Sequence, residues 1–137
     1  LKRELVKRGH EVRVATLSDC GHSYKKDDVY YMRSVDISRI YPGARAVCFP
    51  GSSLYEELIE WQPDLVHSQC EFSSFLIARK IAGELGIPVV HTYHTVYEDY
   101  THYFSAGRPW GRQAAAWFSR FILEKTDFGI APTAKVK

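Results

Sequence analysis

The apolar positions change period along the chain, and each change marks an element. "LKRELVKRG" (1–9) has helical spacing and Gly9 as a stop. "HEVRVATLS" (10–18) alternates like a strand and ends in small polar residues. "CGHSYKKDD" (20–28) is polar and predicts a loop, and "VYYMRSV" (29–35) predicts a second strand. "SRIYPGARAVCFPG" (38–51) reads as irregular, punctuated by Pro42-Gly43 and Pro50-Gly51. "SSLYEELIEWQP" (52–63) has a serine cap, early acids and a proline stop, which predict a helix.

From residue 64 the alternation is regular. "DLVHSQ" is a short strand, and "FSSFLIARKIAGELG" (72–86) is a helix. In that helix Phe75, Ala78, Ile81, Ala82 and Leu85 share a face, and Gly86 ends it. "IPVVHTYH" (87–94) is a strand, "WGRQAAAWFSRFILEKTD" (110–127) a long helix, and "FGIAP" (128–132) a last short strand. Strand–helix–strand alternation with nearly continuous apolar strands implies an α/β fold. The expected architecture is a doubly wound parallel sheet, Rossmann-like, forming one domain over 1–137 with its first strand upstream of Leu1.

Composition narrows the function. The 137 residues are 45% hydrophobic and 25% charged, an ordinary globular balance. No run approaches the ~18 apolar residues of a membrane-spanning helix. The opening without Met and the ending "APTAKVK" read as cuts, so the chain is expected to be truncated at both ends. Cys20, Cys48 and Cys70 lie far apart and are expected as free thiols of a reducing cytosol. A net charge of +2 gives no general case for nucleic acid. Basic residues cluster near both ends, and membrane phosphates would suit them.

Ligands of an open parallel sheet bind beyond the carboxyl ends of its strands. Those ends are polar here: Thr16 to Asp19, Ser68 to Glu71, His94 to Asp99, and Pro132-Thr133. The densest stretch is "HTYHTVYEDYTHY" (91–103), with three histidines, two acids and four tyrosines. His91 and His94 invite a metal site with Glu98 and His102. Strand alternation opposes it by placing His91 and Tyr93 on one face and Thr92 and His94 on the other. His67 and His91 are expected as hydrogen-bonded core histidines. His94, at the strand's exit, can exchange hydrogen bonds with a sugar hydroxyl.

No GxGxxG, Walker A, GxSxG or HExxH sequence occurs. Over 107–125, helical spacing puts Trp110, Ala114, Trp117, Phe118, Phe121 and Ile122 on one broad face. Arg108, Arg112 and Arg120 lie roughly opposite. That pattern fits a core helix with a solvated basic side. It also fits a helix at an anionic membrane, which makes Arg108, Trp110, Arg112, Trp117 and Arg120 membrane-contact candidates.

The segments "PDLVHSQCEFSSFLIARKIAGELGIPVV", "HTYHTVYEDYTHY" and "IAPTAKVK" resemble the amino-terminal domain of retaining glycosyltransferase family 4. Within it the likeness is to bacterial enzymes that glucosylate diacylglycerol. It runs over the whole chain, strongly from 63 to 103 and weakly from 19 to 60. The resemblance implies the amino-terminal half of a GT-B fold, which offers the acceptor site and the membrane contact. A second domain, absent from this sequence together with its Glu-x7-Glu motif, binds the nucleotide sugar. His94 matches the family histidine that orients the transferred sugar, and Glu71, Tyr97, Glu98 and Asp99 fall in motifs at the acceptor end. The implied reaction moves glucose from UDP-glucose to diacylglycerol with retention, by a peripheral enzyme on the inner face of the plasma membrane. No metal or other cofactor is implied, and the fragment alone is expected to be inactive. Other readings are a family member acting on a different lipid or soluble acceptor, a non-catalytic Rossmann-like module, and a metal-dependent hydrolase.

Overall fold

The computed structural model describes residues 1–39, 45–47, 53–94 and 109–133, with Pro109 and Arg112 described by backbone alone. Tyr97, Glu98, Asp99, His102 and Arg108 lie outside the described residues. The chain forms two compact units, Leu1–Trp61 and Gln62–Lys137.

The first unit opens with α1 (Lys2–Lys7). Gly9 closes it at φ +87°, with Gly9 N–H donating to Val6 O and His10 N–H to Leu5 O. This double closure needs a left-handed residue, which glycine supplies without a Cβ penalty. Strands β1 (Val14–Leu17), β2 (Tyr24–Lys26) and β3 (Val29–Met32) form a sheet in the order β1-β3-β2. β1 and β3 are parallel, whereas β2 runs antiparallel to β3.

That hairpin replaces the loop expected over 20–28. Asp27 and Asp28 have φ of 50° and 60°, and Lys26 sits opposite Val29. Two left-handed residues in a two-residue connection match the twist of the flanking strands, and aspartate tolerates that region better than most residues. β4 (Ser34–Asp36) and β5 (Arg45–Val47) form a second antiparallel pair. So 29–35 is two strands parted at Arg33, and part of the supposedly irregular 38–51 is a strand.

Helix α2 (Ser53–Glu60) buries Tyr55 and Leu58, and the unit also buries Tyr30 and Met32. The Tyr30 hydroxyl donates to Glu57 at 2.7 Å, and Arg13 donates to the same hydroxyl at 3.0 Å. The Arg13 guanidinium also lies 4.6 Å from the Trp61 ring centroid, within cation–π range.

The second unit is β6 (Val66–Ser68), α3 (Ser73–Leu85), β7 (Val89–Thr92), α4 (Pro109–Glu124) and β8 (Phe128–Ile130). Its sheet is parallel, in the order β6-β7-β8. The chain is therefore mixed α/β with a parallel sheet, as the alternation requires. Two right-handed crossovers advancing in one direction place both helices on one face. The packing agrees: Phe75 and Ala82 of α3, Ile122 of α4 and Val89 of β7 form one buried cluster, flanked by Val66, Ile87 and Phe118. The α3 face predicted by helical spacing is the buried one, with Ala78 and Ile81 also inside. Gly86 ends the helix at φ +67°, and Ile87 N–H returns to Ala82 O.

Helix α4 departs from expectation. Its buried described positions are Gly111, Ala115, Ser119 and Ile122, with Phe118 half-buried. Trp110, Ala114, Trp117 and Phe121 are exposed, so the broad apolar face divides in two. At about 100° per residue, 110, 114, 117 and 121 fall within about 60° of one another, while 111, 115, 118 and 122 lie about 100° further round.

Candidate functional site

Three strands run the same way, so their carboxyl ends gather polar residues at one edge of the second unit. Register decides which side chains share a face. His67 pairs with Val90, and alternation then aligns His67 and Gln69 with Val90, Thr92 and His94. Val89, His91 and Tyr93 face the helices instead. The contacts follow this division. His91 meets the rings of Phe75 and Tyr93 edge-on, and the Tyr93 hydroxyl is hydrogen-bonded to Ser119 on α4.

On the other face four side chains form a continuous polar chain. Thr92 Oγ1 lies 2.8 Å from His67 Nε2, and the Gln69 amide nitrogen lies 2.7 Å from the same ring nitrogen. The Gln69 carbonyl oxygen lies 3.0 Å from Nε2 of His94. His94 is exposed at the open end, and Thr92 is buried at the inner end. Burial, then the positive charge of His91 and His94 when protonated, holds His67 below the ordinary imidazole value. A neutral His67 can accept from both the Gln69 amide and the Thr92 hydroxyl.

Beneath this edge lies a second pair. His91 is wholly buried, and its Nε2 stands 3.7 Å from Oε1 of Glu71, itself buried in the turn before α3. Neither His91 ring nitrogen has a hydrogen-bond partner among the described residues. So His67 is the hydrogen-bonded histidine expected, and His91 is a core histidine held by aromatic edges and the nearby carboxylate. Among the described residues no three His, Cys, Asp or Glu side chains converge as metal ligands. His91 and His94 themselves point to opposite faces of the strand.

Of the predicted site residues, His94 and Glu71 occupy neighbouring strand ends, His94 at the surface and Glu71 inside. Trp110, Trp117 and Arg120 are exposed on α4. Trp117 is 67% exposed and stacks on Phe121, with ring centroids 5.8 Å apart. Arg120 donates to Glu124 at 2.7 Å, an i,i+4 pair. Among the described residues no helix is long and apolar enough to cross a membrane. Sequence reading placed the 68–71 segment at the site but missed Gln69 as the link between two histidines. The signal was the two-residue spacing of His67, Gln69, Thr92 and His94 on adjacent parallel strands.

The family model "Glycosyltransferase Family 4" matches residues 1–137. The chain belongs to glycosyltransferase family 4. An alpha-monoglucosyldiacylglycerol synthase of Streptococcus pneumoniae is 36% identical over the whole chain, and one of Acholeplasma laidlawii is 35% identical over 77% of it. This family 4 chain spans 31% and 27% of those two proteins' lengths. No solved structure matches it.

Proposed function

We propose that the intact protein transfers glucose from UDP-glucose, with retention, to diacylglycerol at the inner face of the plasma membrane. Membership in family 4 supports glycosyl transfer, and the names of the two relatives support a glucosylated diacylglycerol as product. The observation that carries the reading is His94. It is an exposed imidazole at the carboxyl end of a parallel strand, oriented by a hydrogen-bonded side chain. In that position it hydrogen-bonds the transferred sugar and helps hold it in the reactive geometry. Tyr97, Glu98 and Asp99 are assigned to the acceptor end by the family resemblance of their motif alone, and buried Glu71 stands beside His91 beneath the same strand ends. No metal or other cofactor is invoked.

The exposed stripe Trp110, Ala114, Trp117 and Phe121 supports the membrane part of the reading. Aromatic side chains suit the headgroup boundary, where their apolar bodies and polar tips are both satisfied. Arg120, exposed on the same helix, is a group that would suit anionic phosphates, and Arg108 and Arg112 are further basic candidates from the sequence alone. The test is product formation by the full gene product with labelled UDP-glucose and vesicles of diacylglycerol and anionic phospholipid. A glucosylated lipid supports the reading. Slow hydrolysis of UDP-glucose without lipid product removes the acceptor assignment.

A further inference from the structure

We infer that Gln69 is a positioning residue for His94, using its two-ended amide to fix which ring nitrogen of His94 is left to accept a ligand hydroxyl. The inference rests on the reading of His94 as a sugar-contacting group.

A primary amide carries donors at one end and an acceptor at the other. Gln69 uses both: its nitrogen meets Nε2 of His67, and its oxygen meets Nε2 of His94. The first contact requires a lone pair on His67 Nε2, and the second requires a proton on His94 Nε2. Exchanging the amide ends would reverse both requirements together, so the two rings cannot take their tautomers independently. The structure holds one of the two arrangements, with the amide nitrogen toward His67 and the amide oxygen toward His94. His67 Nε2 is then the acceptor of the amide proton, and the Thr92 hydroxyl, 2.8 Å away and able to donate or accept, takes the donor role toward the same nitrogen. With Gln69 so oriented, neutral His94 carries its proton on Nε2, and Nδ1 is its remaining acceptor. His94 then receives a hydrogen bond from a substrate hydroxyl rather than donating one. The buried Thr92 gives this exposed imidazole an anchor inside the sheet.

Two measurements on the full gene product test this. In the first, ring-nitrogen chemical shifts of 15N-histidine-labelled protein report the His94 tautomer without any assay. Wild type is expected to show the Nε2-protonated form alone, and Gln69→Leu a mixture. In the second, a double-mutant cycle combines Gln69→Leu with His94→Ala. Gln69→Leu alone is expected to lower kcat by about 10²-fold, the scale of a misplaced reacting group, and to add almost nothing when His94 is already alanine. Gln69→Glu, which keeps an acceptor toward His94, should retain more activity than the leucine variant. Should Gln69→Leu fail to fold, Gln69→Asn, too short to bridge both rings, replaces it in both experiments. An unchanged His94 tautomer in the variant, or full additivity in the cycle, overturns the inference. Absence of glycosyl transfer by wild type would instead remove the functional reading, and the nitrogen shifts would still decide the role of Gln69.

Discussion

Asp127 and Val89 hold each other by two reciprocal hydrogen bonds. Val89 N–H donates to the Asp127 carboxylate at 2.7 Å, and Asp127 N–H donates to Val89 O at 2.9 Å. Asp127 immediately precedes β8 and Val89 opens β7, so the pair sets the register of two parallel strands where their ladder starts. Asp127→Ala is expected to cost about 1–2 kcal/mol, the range for a charge-assisted bond to a backbone amide. Urea unfolding should show a lower midpoint at unchanged slope. An unchanged midpoint would remove this role for the carboxylate.

Gly86 tests backbone conformation without side-chain packing. A Cβ built there meets nothing within 4 Å, yet φ is +67°. Gly86→Ala therefore adds conformational strain and no clash, and should destabilise by about 1 kcal/mol. The same measurement at Gly83, an exposed helical glycine with equally open space, should show stabilisation by a few tenths to about 1 kcal/mol.

His67 sets a pH dependence. Its folded-state value is depressed from 6.5, first by burial and then by His91 and His94. The unfolded chain therefore takes up this proton at higher pH than the folded one. The stability is fully present above about 6.5 and falls as pH drops through the folded-state value. Comparison of urea midpoints at about pH 7.5 and about pH 5.5 should show a smaller loss in His67→Asn than in wild type. An equal loss would place the acid sensitivity at other groups.

The exposed face of α4 separates stability from membrane contact. Trp117 and Phe121 stack on each other at the surface, so Trp117→Ser and Phe121→Ser should each change stability by no more than about 0.5 kcal/mol. Sedimentation with anionic vesicles should fall in both variants, and binding by wild type should weaken as salt rises. Full vesicle binding by the double variant would assign membrane contact elsewhere.

The second unit was largely legible because its elements obey simple periods. Phe75, Ala78, Ile81 and Ala82 repeat at helical spacing, and glycine stops the helix. Opposite faces for His91 and His94 followed from strand alternation alone. The first unit was less legible because its strands are short and its turns unusual. Asp27-Asp28 forms a left-handed two-residue turn without the glycine that normally announces one. On α4, aromatic content masked the buried face: Ser119 and Ala115 point inward while Trp110 and Trp117 point out. The link from Gln69 to His94 needed the register of β6 against β7, which no single segment carries.

The central claim is that His94 serves glucosyl transfer to diacylglycerol. The most direct test gives the full gene product, wild type and His94→Ala, labelled UDP-glucose and diacylglycerol in anionic liposomes. The account predicts a glucosylated lipid from wild type and a loss of about 10²-fold or more in the variant. Equal rates from the two proteins, or no lipid product from wild type, would contradict it.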